Sequence, residues 1–334
     1  MANDSDFNSA VELINNSNCL MIASHTRPDG DACGSMAAMM LALEAMGKKV
    51  MPLLLSPMPQ WYGFLFDREI PVLGVNVQLD DLRNGSFDQC DAVVIIDTNS
   101  YIQLPQFDIW LKETHKPVLV IDHHITSDGL GDVEVIDTSA AAAGQIVFDL
   151  FRHAGWKVDQ KIAEAIFVAL ATDTGWFRFS NTDSRVYKDA AQLIEAGAKP
   201  AQLYQMLFQN FTVPRFKLLR LVLDRAEFMF DDRAAAGHLF LKDFEAIGVS
   251  GSDTENLIDE YRRVMSVEVA MLLVEQKDGN IRCSIRSRGN VDVQAIASKF
   301  GGGGHRSAAG LTLAGPMEKA RLVIVAEVGA ALNR

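Results

Sequence analysis

The sequence predicts an α/β protein: an N-terminal domain built on a parallel sheet, a helical connector, and a smaller α+β domain. Three observations predict this. Four short apolar runs, rich in β-branched residues, alternate with helical patterns in the first half, as strands buried on both faces require. The stretch 200–225 is mostly helical in pattern. Beyond it shorter strands and helices follow in mixed order, the α+β pattern. A chain of 334 residues holds two medium domains, placed at 1–195 and 230–334 with the connector at 196–229.

The strand runs are CLMIA at 19–23, the stretch 50–55, AVVII at 92–96 and VLVI at 118–121. Helical patterns sit at 35–46, 144–153, 160–171 and 184–196. In the second domain 237–241, 267–274 and 281–286 read as strands, and 255–263, 293–300 and 317–332 as helices.

Composition narrows the function. At 49% hydrophobic and 22% charged the chain is ordinary for a soluble protein. Its net charge of -12 argues against a whole-surface grip on long nucleic acid. The N-terminus, MANDSDFN, lacks the basic and apolar regions of a signal peptide. The longest uncharged helical stretch, 32–43, falls short of the roughly 20 residues a membrane span needs. Cys19, Cys33, Cys90 and Cys283 are scattered and form no CxxC pair, so neither a zinc knuckle nor a disulfide framework is expected. A cytoplasmic protein is the expectation.

One pattern carries the chemistry. CLMIAS leads into His25, Asp29 and Asp31, AVVII into Asp97, and VLVI into Asp122, His123 and His124. Asp173 follows the apolar helical run 166–171 in ATDTGWF. Open parallel sheets bind ligands at the carboxyl ends of their strands, so the three strand-end groups fall on one edge. Aspartates packed there repel one another, and burial adds to the cost. A divalent cation removes the problem. Oxygen and imidazole donors without thiolate suit Mn²⁺, with Mg²⁺ or Fe²⁺ as alternatives. So many ligands imply two ions, and two ions about 3.5–4 Å apart can activate a water and clamp a phosphoryl group. Each residue alone has a plainer explanation. Asp97 or Asp173 by itself reads as a helix cap or a turn, and His123 or His124 by itself reads equally as a satisfied core group. The set favours metal.

These motifs resemble those of the DHH phosphoesterase superfamily. HTRPDGDACGS at 25–35 is similar to its first motif, Asp97 in VVIIDT to its second, IDHH at 121–124 to its third, and ATDTGWF with Asp173 to its fourth. One such motif occurs by chance; four in order are specific. The resemblance implies that His25 and Asp29 hold one metal, that Asp31, His123 and Asp173 hold another, and that Asp97 bridges them. It implies that His124 faces the substrate phosphate and helps protonate the leaving oxygen, and that Asp122 orients the adjacent histidines. Gly34 and Ser35 start the following helix with packing as their main role. Cys33 need not be a ligand, since cysteine also behaves as a small hydrophobe, and its role is unassigned.

In the second domain, 300–310 reads FGGGGHRSAAG. Consecutive glycines cost backbone entropy in a helix or strand, and they let a backbone approach a ligand with its N–H groups. Arg282, Arg286, Arg288, Lys299 and Arg306 face a single acid, Asp292, between 282 and 306, which suits phosphate or carboxylate recognition. A flexible loop beside a solvated basic face explains the same residues more plainly. The stretch SIRSRGNVDVQAIASKFGGGGHRSAAG resembles the DHHA1 domain, which follows the DHH domain in one branch of the superfamily. That resemblance implies substrate contacts from Gly301, Gly302, Gly303, Gly304 and His305, with Arg286 and then Arg306 as guanidinium candidates. Arg262 and Arg288 are unassigned.

The resemblance covers about 9–332 and implies metal-dependent phosphoester hydrolysis in an interdomain cleft. Compact two-domain chains of this size resemble the nanoRNase and pAp-phosphatase group. Its members degrade short oligoribonucleotides (nanoRNA) to 5′-mononucleotides, and many dephosphorylate 3′-phosphoadenosine 5′-phosphate (pAp). The expected partner is short RNA or a nucleotide, with no long duplex and no membrane. A homodimer stays open, the apolar helix at 38–46 reading more simply as core. Two alternatives stand beside this: a cyclic or linear dinucleotide phosphodiesterase, and, in another class, a non-catalytic nucleotide-sensing module. The presence of every expected metal ligand speaks against the sensor.

Overall fold

The computed structural model describes residues 2–333. The chain divides into two compact units between Asn210 and Phe211. The first contains α1 (Asp4–Asn16), β1 (Cys19–Ser24), α2 (Gly30–Ala45), β2 (Lys49–Leu53), α3 (Leu79–Arg83), β3 (Ala92–Ile96), α4 (Phe107–Glu113), β4 (Val118–Asp122), β5 (Val133–Ile136), α5 (Ala143–Ala154), α6 (Gln160–Asp173), α7 (Ser184–Glu195) and α8 (Pro200–Phe208).

The five strands form a parallel sheet in the order β2-β1-β3-β4-β5. Alternate residues enter two different cores. Leu20, Ile22, Val94, Ile96, Leu119 and Ile121 pack on the side of α2, α5 and α6. Met21, Ala23, Val93, Ile95, Val118 and Val120 pack with Phe107 and Trp110 on the other. Burial on both faces is why these strands read as unbroken apolar runs. Pro52 sits in β2, an edge strand, where a missing N–H costs the ladder least. The sequence did not reveal α1 or β5; β5 is short and mostly half-buried, so it leaves no apolar run.

Helix α2 is buried almost throughout and packs mainly on α6. Gly34 permits this, because a Cβ there would lie 2.5 Å from the Ala165 carbonyl oxygen and 2.8 Å from the Ala169 nitrogen. Backbone cannot swing aside as a side chain can. Gly34→Ala is therefore expected to cost about 1–3 kcal/mol of stability, measured by chemical denaturation.

The second unit contains α9 (Val213–Asp224), β6 (Glu227–Met229), β7 (Ala234–Leu239), α10 (Leu241–Ile247), β8 (Val269–Glu275), β9 (Ile281–Ser287), α11 (Val293–Ser298), β10 (Gly303–His305), β11 (Ala308–Leu313) and α12 (Met317–Leu332). Its six-stranded sheet runs β10-β11-β9-β8-β7-β6, antiparallel except for β7 with β8. Ile281, Cys283 and Ile285 of β9 point into the core shared with Ile324 and Val328 of α12, so Arg282 and Arg286 belong to the opposite face by alternation. The helix predicted at 255–263 is instead a 3-10 turn, Leu257–Arg263. Tertiary packing holds it: Leu257, Ile258 and Tyr261 are buried, and the Tyr261 hydroxyl donates to the Val222 carbonyl at 2.6 Å.

Arg225 grips Asp243 with two hydrogen bonds, one of them at 3.0 Å, and Asp243 also accepts from the Phe240 amide at 2.7 Å. Burial alone would raise the Asp243 pKa; these bonds and the Arg225 charge hold it below the ordinary carboxylate value. A depressed folded pKa contributes stability above the unfolded value of about 3.9 and loses it as pH falls through the folded one. Asp243→Asn should flatten the acid side of the stability profile below about pH 4, followed by urea midpoints against pH.

Candidate metal centre

The sheet order reverses between β1 and β3, the point where open sheets place their ligands. The Ser24 hydroxyl ties the two strand ends together by donating to the Ile96 carbonyl at 2.7 Å. His25 follows at once. Its ring pairs Nδ1 with the Thr26 carbonyl at 2.9 Å, so Nδ1–H donates and Nε2 is left facing Asp97 Oδ2 at 3.4 Å and Asp29 Oδ1 at 4.0 Å.

Asp29 does two things. Its Oδ1 caps α2, accepting from the amides of Asp31 and Ala32 at 3.0 and 3.1 Å, and its carboxylate still borders His25. The cap that a lone aspartate suggests and the ligand that the motif suggests are the same residue. Gly30 is required by the fold, since a Cβ would lie 2.4 Å from the side chain of Thr172. That close contact brings the first motif against the residue preceding Asp173.

Asp97 has φ +66°, in the left-handed region, which bends the chain sharply off β3. It is buried, and its Oδ1 has no hydrogen-bond partner. His123 Nε2 lies 3.5 Å from that oxygen, 3.7 Å from Asp31 Oδ2 and 3.7 Å from Asp173 Oδ2. Its Nδ1 pairs with the Ala140 carbonyl at 3.3 Å. Asp122 Oδ1 accepts from the His123 amide at 2.8 Å, the His124 amide at 3.3 Å and His124 Nδ1 at 2.7 Å. Asp122 therefore holds the His124 ring directly and His123 only through its backbone. Asp173 ends α6, where the helix dipole disfavours a carboxylate and a cation offsets it.

Three groups of ligand atoms lie within 4.8 Å of one another: His25, Asp29 and Asp97; Asp31, His123 and Asp173; and Asp97, His123 and His124. Nitrogen and oxygen donors converging on a buried, unpartnered carboxylate oxygen fit divalent cations. The electrostatics agree. Burial opposes the charged form of His25, yet its hydrogen bond to Asp97 and the charges of Asp29 and Asp97 raise its pKa to about 10. The same opposition, overcome by Asp97, Asp31 and Asp173, raises His123 to about 11. Burial pushes Asp173 up to about 7 and, with the Asp97 charge, Asp31 well above its ordinary value. Asp97 is held below its ordinary value against burial by His123 and His25, whose rings face its two oxygens. A divalent cation would offset this crowding of buried carboxylates.

Sequence reasoning missed the partners of Asp31, which come from Ser35 and from the start of α5. Packing was expected to be the main role of Ser35, but its hydroxyl donates to Asp31. Nothing in the stretch AAAAG at 140–144 signals a carboxylate partner. Cys33 is buried and belongs to none of the three ligand groups.

In the second unit, Arg286 donates from its guanidinium to the Ile285 carbonyl at 3.2 Å and forms no carboxylate ion pair among the described residues. Burial lowers its pKa. The glycine run is not a loose loop. The Gly302 amide donates to the Ala297 carbonyl at 2.9 Å, and Gly303 and Gly304 pair with Gly310 and Ala309 of β11. A Cβ on Gly302 or Gly304 would lie 2.4 Å from a β11 carbonyl oxygen, and Gly301 and Gly304 have positive φ. Gly302 and Gly304 thus pack closely on their neighbouring strand, whereas a Cβ on Gly301 or Gly303 would meet nothing within 4 Å. Arg306 is exposed in the turn between β10 and β11; the side chain of His305 lies outside the described residues. Arg288 donates to the carbonyls of Arg262, Val264 and Met265 and so pins that turn.

Comparison with known proteins follows the two units. The DHH family N-terminal domain matches residues 20–171, and the DHHA1 domain matches 239–331. The chain is 33% identical over 305 residues to the bifunctional oligoribonuclease and PAP phosphatase NrnA of Thermus thermophilus, covering 89% of this chain and 84% of that one. It is 25% identical over 312 residues to the cyclic-di-AMP phosphodiesterase PdeA of Listeria monocytogenes, covering 90% of this chain and 46% of that one. In structure it is similar to an exopolyphosphatase-related protein from Bacteroides fragilis, with a TM-score of 0.90 at 20% identity, covering 98% and 96% of the two chains.

Proposed function

The chain belongs to the DHH family and carries a DHHA1 domain, and from that premise we propose that it is a phosphoester hydrolase dependent on two divalent metal ions. Its proposed substrates are short oligoribonucleotides, cut to 5′-mononucleotides, and pAp, which it dephosphorylates. The observation that carries this is Asp97, a buried carboxylate that has an unpartnered oxygen and belongs both to the group with His25 and Asp29 and to the group with His123 and His124. Similarity to the Thermus enzyme supports the choice of substrate.

In this proposal His25 and Asp29 hold one ion, Asp31, His123 and Asp173 hold the other, and Asp97 holds both. Mn²⁺ is the proposed ion, with Mg²⁺ or Fe²⁺ as alternatives. When bound, the ions supply an activated water and charge neutralisation at the phosphoryl group. The chain's own residues do the positioning. The carbonyls of Thr26 and Ala140 each pair with an Nδ1, which turns both Nε2 atoms towards the carboxylates. Asp122 fixes His124 through Nδ1, which leaves the His124 Nε2 as the proton donor to a leaving oxygen. On the second unit, Arg286, Gly301, Gly302, Gly303, Gly304, His305 and Arg306 are the proposed contacts to the nucleotide. No described helix is long and apolar enough to cross a membrane, and we place the activity in the cytoplasm.

A cyclic-dinucleotide phosphodiesterase is the second reading, favoured by the similarity to the Listeria enzyme. One panel separates the two. Purified protein with Mn²⁺ is given 5′-phosphorylated RNA dinucleotide and pentanucleotide, pAp, cyclic di-AMP and pyrophosphate, with His123→Ala as control. Mononucleotide release from the RNAs, absent in the control, is the expected result. Turnover of cyclic di-AMP alone would replace the substrate, and no turnover at all would favour a sensor.

A further inference from the structure

Asp31 is held unlike the other carboxylates of the cluster. It is 1% exposed. Its Oδ1 accepts from the Ser35 hydroxyl and the Gly144 amide, each at 2.9 Å, and its Oδ2 accepts from the Ala143 amide at 2.6 Å. Ala143 and Gly144 open α5, so these amides are among those that a helix leaves without internal partners. Ser35 lies four residues after Asp31 on α2, on the same face. The approach of α5 needs a glycine, because a Cβ on Gly144 would sit 2.4 Å from the Ala169 Cβ and 3.0 Å from the Ser35 hydroxyl oxygen.

An ionised carboxylate offers about two acceptor sites on each oxygen. Two donors saturate Oδ1 of Asp31, whereas Oδ2 has one donor and lies 3.7 Å from His123 Nε2. Asp97 presents the opposite case, with an oxygen that has no hydrogen-bond partner. We propose that Ser35 is a positioning residue: with the Gly144 amide it occupies Oδ1 of Asp31, so that Oδ2 alone is presented to the ion shared with His123 and Asp173. This rests on the two-metal reading above. Ser35 is fully buried, so bulk water does not replace its hydroxyl when that is removed. Asp31 then keeps only its two backbone amides, one on each oxygen, and Oδ1 regains an open acceptor site that competes with Oδ2 for the ion. The effect is confined to one of the two ions, because no hydrogen bond links Ser35 to His25 or Asp29 among the described residues.

The test is a Mn²⁺ titration of the metal-free full chain, followed by calorimetry and by the electron paramagnetic resonance signal of free Mn²⁺. The wild type is expected to bind two ions. Ser35→Ala should bind one of them about 10–100-fold more weakly, the range for a residue that orients a metal ligand, and the other unchanged, with circular dichroism like that of the wild type. Equal weakening of both ions, no weakening of either, or a variant that does not fold with or without Mn²⁺ would overturn the proposal. A wild type that binds no Mn²⁺ would overturn the two-metal reading as well, which separates the two failures.

Discussion

Replacing Asp97 by asparagine is expected to reduce hydrolysis of short RNA by more than about 100-fold, beyond the range for residues that act behind a metal ligand. The substitution is chosen to change charge and little else. Asparagine tolerates the left-handed backbone that Asp97 adopts, and it has nearly the same volume. What it removes is the one negative charge that His25 and His123 both approach, at 3.4 and 3.5 Å. The amide nitrogen it introduces is a donor where an acceptor is needed. A 100-fold loss corresponds to about 2.7 kcal/mol of lost transition-state stabilisation. The measurement is kcat/KM with Mn²⁺, beside circular dichroism and Mn²⁺ stoichiometry. Activity within a few-fold of the wild type would remove Asp97 from the chemistry.

The largest effect on stability is expected from Phe167→Ala. Phe167 is 1% exposed in the middle of α6. Its ring meets Trp176 edge-on at 5.8 Å and Phe177 at 5.5 Å. Trp176 in turn packs on Tyr204 and Phe208 of α8. Removing the ring leaves a cavity among large, mutually braced side chains, and such a site collapses poorly. A loss of about 3–5 kcal/mol is expected, measured from urea unfolding of the full chain. The same rings brace the turn after Asp173, where Trp176 and Phe177 both have positive φ. Activity should therefore fall too, but by less than in Asp97→Asn, because Asp173 itself remains. A stability loss below about 1 kcal/mol would mean that the surrounding rings close the gap.

The candidate site was legible because its residues sit where buried strands stop. AVVII and VLVI each end at a polar residue, and a parallel sheet aligns those ends. The same logic did not reach Ser35 or Gly144. Ser35 lies within one helical turn of Asp31, but a serine there is equally a packing residue. The part of Gly144 comes from α5 arriving against α2, and no local pattern records a contact between residues 113 apart in sequence. The glycine run shows a third case. Its composition suggests a place where a backbone approaches a ligand; the structure adds that Gly302 and Gly304 are also small because they pack on β11, only a few residues on. The stretch 255–263 was read as a helix because its apolar spacing suits one, but packing of Tyr261 on the sheet fixes it as a 3-10 turn.

By itself, then, the sequence determined the α/β class, the strand-end origin of the ligands and the chemical type of the cluster. Those follow from periodicity and side-chain chemistry, which are local. The tertiary structure alone decided which oxygen of each carboxylate is already occupied and which histidine nitrogen faces inward. Those depend on backbone carbonyls and amides brought in from distant segments, and a carbonyl or an amide is the same in every residue, so the letters of the chain do not mark it.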